Sequence, residues 1–551
     1  MFQKTNANKK PINAKKIGIK KNDKVPIDFS CQGKIESKSD IFTIEYPIIK
    51  NMREQNPDHS NLKFIGLTSS FVDMTKKNYT LWLLTLLLTV FTAITLYYFD
   101  NNILIFFFLS PLFYIIRNLE LNKKNSFLIY FNIFLYFLTN TSWLSIFGIH
   151  IVILMSLYLS LFWFLPIIIW KKIEKNIPKK LYTISLPIFL TSSEILRNSG
   201  PFAFGLETPG YFLIYTPFMY IASFIGVIGL TFLIFYINML FSKKKTIPKA
   251  LYLLCFLILA GSVVNFLNSN NNNIKYQEFT ILQGNFRPIF LYDENYENLI
   301  NKQYIDLFNL AQHQYPNSLI VTPEVIFRTC LNKENTLIPN QPSLIGSIYC
   351  KNDSYYNSIY FLNKNEKELV YEKKHLVPFG EFNPIPKIFG FLNRFFPQLG
   401  DFKEGKNSKT FKYKGLYIGF LICFEDTLPD LIYEKLKNNK INLLVVASND
   451  GWFKDTKEPI EHLNISIFRA IEFGIPIIRA ANTGPSAFIN PNGDIMKLLP
   501  ADRAGILFYN FKINKYETLY SKISTKEEKL FLTISLLILA LSFFNIFRKF
   551  F

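Results

Sequence analysis

The 551-residue sequence has few of the residues that form metal centres or disulfide scaffolds. It contains five cysteines without a CxxC pair and five scattered histidines. Neither pattern is typical of a thiolate zinc site or of a small disulfide-rich domain. Charged residues make up only 19% of the chain, which argues against a disordered protein or a coiled coil. We therefore expect neither a metal nor another cofactor.

The formal net charge of +20 is not concentrated on one soluble face. Many lysines and arginines form short clusters between long apolar runs, as in the loops of a membrane protein. This distribution argues against a nucleic-acid partner. Residues 1–78 are polar and basic, and no apolar run lies near Met1. We expect a flexible N-terminal extension there, without a cleaved signal peptide.

From Tyr79 onward, long apolar runs predict a membrane domain. A helix needs roughly 20 residues to cross a hydrocarbon core about 30 Å thick. Most of the runs are long enough, although two of them, 102–117 and 181–195, are short. The sequence predicts about eight transmembrane helices, of which about seven fall within 79–267 and one at 529–547. The runs lie at 79–99, 102–117, 126–142, 144–170, 181–195, 211–241, 250–267 and 529–547.

Basic residues alternate between successive loops of this membrane domain. They cluster in the N-terminal extension, at 117–124, at 171–180 and at 243–249, whereas the intervening loops carry only Arg197. Loops rich in lysine and arginine stay on the cytoplasmic side. The pattern therefore predicts a cytoplasmic N-terminus and an extracytoplasmic position for residues 274–525.

Residues 274–525 have the pattern of a soluble α/β domain. Short β-branched or aromatic runs alternate with helical patterns at 294–314 and 459–473, as expected for strands connected by helices. The predicted strands are Phe279–Leu282, Leu319–Thr322, Ser343–Ile348, Ile359–Leu362, Tyr417–Cys423, Leu443–Ala447, Pro476–Ala480 and Ala487–Ile489. The sequence therefore predicts a multi-span helical membrane domain joined to an α/β domain.

Three of the predicted strand ends carry residues that are suited to catalysis. Glu324 follows an apolar strand, where partial loss of water can raise the pKa of a general base. Lys373 and His375 would share one face of an extended strand, and an inward lysine could lower a thiol pKa. Cys423 lies at a strand–helix junction, which favours the thiolate. Each residue alone fits a plainer role: a helix-start acid, a solvated basic strand or an inert core thiol.

Taken together, the three signals resemble a known family. Glu, Lys and Cys follow in that order about fifty residues apart, within PE at Glu324, KxHLVPFGE from Lys373 and ICFE around Cys423. The segments SNDGWF at 448–453 and RAANTG at 479–484 add to this resemblance. The domain thus resembles the nitrilase (carbon–nitrogen hydrolase) superfamily. With its flanking spans, the chain resembles the bacterial apolipoprotein N-acyltransferase family.

This resemblance implies an αββα sandwich with Glu324 as the base, Lys373 as the stabiliser of the transition state and Cys423 as the nucleophile. It also implies that Glu381 and Glu425 are supporting acids. The candidate substrate-binding residues are Phe382, Phe424, Asn449, Trp452 and Phe453. Two features depart from the family. Phe424 stands where a tyrosine is usual, and the loop 200–211 lacks the usual tryptophan.

The implied reaction transfers an acyl chain from a membrane phospholipid, through a thioester on Cys423, to the α-amine of a diacylglyceryl-cysteine apolipoprotein. The implied protein is a multi-pass monomer of the bacterial inner membrane. Two alternatives remain open at this point: a membrane-tethered amidase or nitrilase that acts on an extracytoplasmic amide, and a non-catalytic receptor or transporter. The sequence also leaves open whether Cys330 and Cys350 pair on the oxidising side of the membrane.

Overall fold

The structure is a computed structural model whose described residues all lie within the compact unit Ser69–Phe551. The predicted extension at 1–78 lies outside the described residues. These residues are 82–83, 85–91, 94–95, 103–200, 202–268, 275–286, 294–331, 339–364, 366–378, 380–382, 402–439 and 441–550.

The first half of the described chain is helical. Residues 82–83, 85–91 and 94–95 are helical and precede seven further helices. These are α1 Ile105–Phe108, α2 Ser110–Asn118, α3 Lys123–Asn140, α4 Ile149–Ile173, α5 Tyr182–Arg197, α6 Ala222–Phe241 and α7 Ile247–Asn268. A non-helical glycine, Gly226, kinks α6. The last helix of the chain, Leu519–Phe550, packs against α5 and α6.

Within the described residues, four helices are long and apolar enough to cross a membrane. They are Ile149–Asn176, Pro217–Phe241, Lys244–Asn268 and Lys526–Ile546, and a shorter apolar stretch lies at Ile105–Asn118. The predicted total of about eight spans is thus not confirmed. Helix α5 has 16 residues, about 24 Å at 1.5 Å per residue, which is short of a hydrocarbon core.

The second half forms two β-sheets. The first contains β1 Lys275–Gln283, β2 Leu319–Val321, β3 Phe327–Cys330, β4 Ser343–Lys351, β5 Ser354–Asn363, β6 Glu366–Glu372 and β13 Gly505–Ile513. The second contains β7 Phe411–Tyr413, β8 Leu416–Ile422, β9 Leu443–Ser448, β10 Ile477–Ala481, β11 Ser486–Ile489 and β12 Ile495–Leu499. Their orders are β13-β1-β2-β4-β5-β6, with β3 beside β4, and β12-β11-β10-β9-β8-β7.

The two sheets pack face to face with helices on their outer sides. Apolar residues from both sheets, among them Phe279, Val321, Phe420 and Val445, form one buried core. Helix α8, Glu294–Gln314, covers the first sheet. Helices α9, Pro429–Asn439, and α10, Glu458–Phe473, cover the second. This is the expected αββα arrangement. The strands in the middle of each sheet are buried on both faces, which explains why their sequences are continuous apolar runs.

All eight predicted strands correspond to observed ones, and the two predicted helices match α8 and α10. The extended strand predicted through His375 was wrong, because β6 ends at Glu372. Residues 373–377 are irregular, so strand alternation does not apply to them. Lys373 is accordingly buried, whereas His375 is exposed.

The sheets gather the chemically interesting residues at one edge. Strands β1, β2 and β4 run parallel, and so do β8, β9 and β10. The carboxyl ends of parallel strands meet at the same edge of a sheet. Glu324, Cys423, Asn449 and Asn482 follow β2, β8, β9 and β10 in turn, while Lys373 follows β6.

The membrane helices and the α/β domain share a continuous apolar core. Leu463 and Ile467 of α10 belong to the same buried cluster as Val227 and Leu230 of α6. The Glu472 carboxylate, at the end of α10, also accepts a hydrogen bond of 2.7 Å from the backbone N–H of Val227. The edge that carries Cys423 is therefore attached directly to the membrane half.

Candidate active site

Glu324 is held in a tight turn after β2. The next residue, Val325, has φ 42°, and β4 passes so close behind the turn that a Cβ at Gly346 would overlap the Pro323 carbonyl oxygen. The Glu324 Oε1 atom accepts hydrogen bonds from Asn357 Nδ2 at 2.6 Å and from Lys373 Nζ at 3.3 Å. Burial raises the pKa of Glu324, and the neighbouring Lys373 ammonium opposes that rise. The predicted direction of this shift is confirmed.

Lys373 lies between two carboxylates. Its side chain is only 1% exposed, and Nζ lies 2.8 Å from Glu381 Oε2 and 3.3 Å from Glu324 Oε1. Burial alone would lower the pKa of Lys373, but the charges of Glu381 and Glu324 outweigh it and raise the pKa. The ammonium therefore stays protonated and gives the site a fixed positive charge.

Cys423 occupies a strained position at the end of β8. Its φ of 52° lies in the left-handed region, which is unfavourable for a residue with a side chain and typical of functional sites. Burial and the Glu324 carboxylate raise the pKa of the Cys423 thiol well above its ordinary value, while Lys373 lowers it. The strand–helix junction and Lys373 were expected to favour the thiolate, but burial and the facing carboxylates outweigh them. The resting sulfur is a thiol that needs a base.

Asn357 in β5 connects the two acids on either side of Lys373. Its Nδ2 donates to Glu324 Oε1 at 2.6 Å and to Glu381 Oε1 at 3.1 Å. Glu381 is held in turn by the backbone N–H of Val377 at 2.8 Å. The motif spacing did not reveal Asn357. Strand β5 contains other polar residues, among them Ser358 and Asn363, so the sequence alone does not single out Asn357.

Glu425 connects the Lys373 segment to the Cys423 turn. This fully buried carboxylate accepts hydrogen bonds from the backbone N–H groups of Lys374 at 2.7 Å, His375 at 3.1 Å and Ile422 at 2.8 Å. The Tyr371 hydroxyl donates to the same carboxylate at 2.9 Å. Glu425 therefore holds the segment that follows Lys373 at a fixed distance from the turn that carries Cys423.

Similarity to known proteins covers both halves of the chain. The family model of the apolipoprotein N-acyltransferase N-terminal domain matches residues 88–240, and that of the carbon-nitrogen hydrolases matches residues 336–519. An apolipoprotein N-acyltransferase of Wigglesworthia glossinidia brevipalpis is 32% identical over 380 residues, 64% of this chain and 74% of that protein. The chain belongs to the apolipoprotein N-acyltransferase family.

Other members of the apolipoprotein N-acyltransferase family and solved nitrilase-like structures are also similar. The apolipoprotein N-acyltransferase of Geobacter metallireducens is 28% identical over 62% of this chain and 70% of its own length. A carbon-nitrogen hydrolase superfamily protein of Xanthomonas campestris matches 44% of this chain and 91% of its own chain, with 14% identity and a TM-score of 0.34. By the two family models, the chain combines a carbon-nitrogen hydrolase domain with an N-terminal apolipoprotein N-acyltransferase domain.

The candidate substrate-binding residues of this family member occupy different surroundings. Phe382, Phe424, Trp452 and Phe453 are half-buried, and the Phe453 ring contacts aromatic rings of the membrane half. Asn449 is buried, and its Oδ1 accepts a hydrogen bond of 3.0 Å from Asn482. That oxygen helps to hold the site edge together. Substrate contact by these five residues stays a prediction.

One group of side chains in the described residues could geometrically hold a metal ion. Ligand atoms of Cys423, Asp450 and His462 lie within 4.8 Å of one another. However, Nε2 and Nδ1 of His462 lie 2.8 Å and 2.9 Å from carboxylate oxygens of Asp426 and Asp450. An imidazole engaged on both nitrogens has no free lone pair for a metal, so we assign no metal to this group.

We predict that Glu425→Gln lowers acyl-transfer activity at least tenfold, because an amide cannot accept four donors as the carboxylate does. The measurement is the rate of acyl transfer to an apolipoprotein substrate. Glu434→Gln is the matched control, since this exposed glutamate lies 4.0 Å from Lys374 without contacting the site. Equal rates for the two variants would show that Glu425 does not position the catalytic segments.

Proposed function

We propose that this chain transfers an acyl chain from a phospholipid, through a thioester on Cys423, to the α-amine of the N-terminal diacylglyceryl-cysteine of apolipoproteins. Its family membership supports acyl transfer to apolipoproteins. One geometric observation supports the mechanism: the buried Lys373 ammonium lies 3.3 Å from the Glu324 carboxylate. The two charges also act on the pKa of the Cys423 thiol, which Glu324 raises and Lys373 lowers. This is the charge arrangement that acyl transfer through sulfur requires.

In the first step, Glu324 takes the proton from Cys423 and the sulfur attacks an ester carbonyl carbon of the phospholipid. Lys373 balances the negative charge that develops on the carbonyl oxygen, a contribution of about 3–4 kcal/mol in comparable oxyanion sites. The carbon–oxygen ester bond then breaks. Glu324 returns its proton to the leaving oxygen, so a lysophospholipid departs and the acyl chain remains on sulfur.

In the second step, the free α-amine of the apolipoprotein attacks the thioester carbonyl. Glu324 accepts a proton from the attacking nitrogen, and the carbon–sulfur bond breaks as the amide forms. The proton then passes to the departing sulfur, which restores the Cys423 thiol. The raised pKa of Glu324 suits this double role, because a base must hold the proton in one half-reaction and release it in the next.

A membrane setting makes the lipid substrates accessible. Moving a long acyl chain into water costs about 0.8 kcal/mol per CH₂ group, so the site must take lipid from the bilayer. The α/β domain shares an apolar core with the membrane helices, which supports lateral delivery. Only 28% of the most apolar 18-residue stretch of Lys244–Asn268 is buried within the protein, so most of the side chains in this stretch are available to face lipid.

The chain is a multi-pass inner-membrane protein by its family and its apolar helices. We place its N-terminus in the cytoplasm and residues 274–525 outside, between membrane segments at 79–267 and 529–547, with 1–78 as an N-terminal extension and the protein as a monomer. A disulfide joins Cys330 to Cys350, with Cα atoms 5.6 Å apart. Disulfides persist in oxidising compartments, which supports the outward position.

The decisive experiment exposes the purified protein to vesicles of phospholipid with isotope-labelled acyl chains, without an acceptor. We expect mass spectrometry to find one acyl chain on the Cys423 peptide, released by neutral hydroxylamine. Cys423→Ala should abolish this labelling. Cys255→Ala, which removes an exposed free cysteine on α7, should retain it.

Addition of a diacylglyceryl lipopeptide should then discharge the labelled chain onto its α-amine. An unlabelled Cys423 peptide after prolonged exposure to phospholipid would contradict the proposed transfer. Hydrolysis of small amides by the same preparation would instead favour the amidase alternative.

A further inference from the structure

A group of buried charges that the proposed chemistry does not use lies beside Cys423. We call Asp426, Asp450, His462 and Arg479 the buried charge cluster. Asp426 belongs to the turn that begins at Cys423, Asp450 follows β9, His462 lies on α10 and Arg479 lies on β10. All four residues are at most 3% exposed. The cluster thus ties the nucleophile turn to the three elements around it.

His462 is clamped between two carboxylates. Its Nε2 lies 2.8 Å from Asp426 Oδ1, and its Nδ1 lies 2.9 Å from Asp450 Oδ1. An ionised carboxylate can only accept a hydrogen bond, so each ring nitrogen must carry a proton. Burial and the charge of Arg479 lower the pKa of His462, but Asp426 and Asp450 outweigh them and raise it to about 10. The ring is therefore a permanent imidazolium at neutral pH.

The charges of the cluster balance one another. Arg479 bridges the same two acids, with Nη1 at 3.2 Å from Asp426 Oδ2 and Nη2 at 2.8 Å from Asp450 Oδ2. The two aspartates have lowered pKa values and stay ionised. The Glu458 carboxyl, 3.7 Å from His462, has its pKa raised by burial and by Asp450, and is neutral. The positive charges of His462 and Arg479 therefore balance the negative charges of the two aspartates.

This balance matters because the cluster borders the sulfur. A ring nitrogen of His462 and a carboxylate oxygen of Asp450 each lie within 4.8 Å of Cys423 Sγ. Glu324, Lys373 and Glu381 also act on this sulfur, and so does Arg479 of the cluster. The carboxylates of Glu324, Asp450 and Glu381 disfavour the thiolate, and nearby positive charges are needed to offset them. At such distances in a protein interior, one unit charge changes a thiol pKa by more than one unit.

We propose that His462 is a positioning residue that supplies a fixed positive charge, in addition to those of Lys373 and Arg479, to the Cys423 thiolate. This inference rests on the proposed role of Cys423 as the nucleophile. Because both ring nitrogens are engaged, His462 neither takes the thiol proton nor binds a metal. Its contribution is the positive charge of the imidazolium ring, whose position is fixed by Asp426 and Asp450.

The test measures the alkylation of Cys423 by iodoacetamide between pH 7 and 10, which requires no lipid substrate. We expect His462→Gln to lower the alkylation rate at pH 8.5 about tenfold, with an unchanged slope against pH. Ser466→Ala is the matched control. It removes a hydrogen bond of 2.6 Å to Asp426 from the same helix without changing the charge, and it should keep the rate within about twofold.

An unchanged rate for His462→Gln, or an equal loss for Ser466→Ala, would overturn the proposal. A second measurement uses the wild-type protein and does not depend on whether the variant folds. In ¹⁵N-histidine NMR spectra, one of the five histidines should keep the two-proton imidazolium signature at pH 8.5. Loss of every such signal below pH 8 would also overturn the proposal, whereas failed acyl transfer would leave both readouts intact.

Discussion

Glu324→Gln is expected to lower acyl transfer by about 10²–10⁴-fold, because the resting Cys423 is a thiol that must lose its proton. Glutamine keeps the size of the side chain and an acceptor for Asn357, but it cannot take a proton. The measurement is single-turnover formation of acyl-Cys423 from labelled phospholipid, followed by transfer to a lipopeptide. We expect both half-reactions to slow, since the same carboxylate serves each.

Glu368→Gln is the matched control, because this glutamate is exposed on β6, the strand that leads to Lys373. It should retain full activity. A Glu324→Gln rate above about a tenth of the unmodified rate would show that another group takes the thiol proton. Asp450 is a poor substitute base, because its pKa is lowered by Arg479 and His462.

The same reasoning fixes the pH dependence. The pKa of Glu324 is raised, so the active carboxylate form is lost as the pH falls through that raised value. The rate should therefore rise with pH, with a midpoint above that of an ordinary glutamate. In the Glu324→Gln variant, this rise of the rate with pH should disappear.

The second large effect is expected for Arg197→Met, at the end of α5. Both Arg197 and Glu194 are fully buried, and Arg197 Nη2 lies 2.5 Å from Glu194 Oε2. Removing one partner leaves a buried charge uncompensated, which typically costs about 3–5 kcal/mol. We expect a marked drop in the thermal unfolding midpoint in detergent. Glu194→Gln combined with Arg197→Met should recover part of this loss.

Activity should fall further than stability alone explains, because Arg197 also holds a loop against the nucleophile turn. Its Nη1 donates to the carbonyl oxygens of Phe204 and Leu206 at 2.6 and 2.8 Å. Between them, Gly205 packs so closely that a Cβ there would lie 3.1 Å from the Thr427 side chain. Arg117→Met is the control, since this half-buried arginine donates to Ser242 elsewhere. Equal losses in the two variants would contradict a special role for Arg197.

The architecture of the α/β domain could be predicted well because its central strands are buried on both faces. An apolar run such as Leu443–Ser448 is fully buried and is recognisable from composition alone. Strands β7 and β12, which are short and have exposed or charged positions, gave no such signal and were missed. The predicted total of about eight spans stays unconfirmed, because an apolar run alone does not distinguish a spanning helix from one buried within the protein. Most residues of helix α5 are buried, and its 16 residues are fewer than a span normally needs.

The site was predictable in its membership but not in its electrostatics. Glu324, Lys373 and Cys423 were predicted from their order and motifs. The structure places Lys373 Nζ 3.3 Å from Glu324 Oε1, and both charges act on the Cys423 thiol, while the catalytic roles stay a prediction. The direction of the Cys423 pKa shift could not be predicted, because it depends on carboxylates that are distant in sequence. Asn357 and the buried charge cluster were missed for the same reason. Neither hydrophobic periodicity nor a local motif reports a contact between separate strands.

The packing of Gly205 against Thr427 has a consequence for protein engineering. A chimaera that joins this α/β domain to the helical half of a relative would need an equally small residue at that point. A side chain at that point would require the turn that carries the reactive sulfur to shift by a few tenths of an ångström, so this contact has to be matched when the two halves are exchanged.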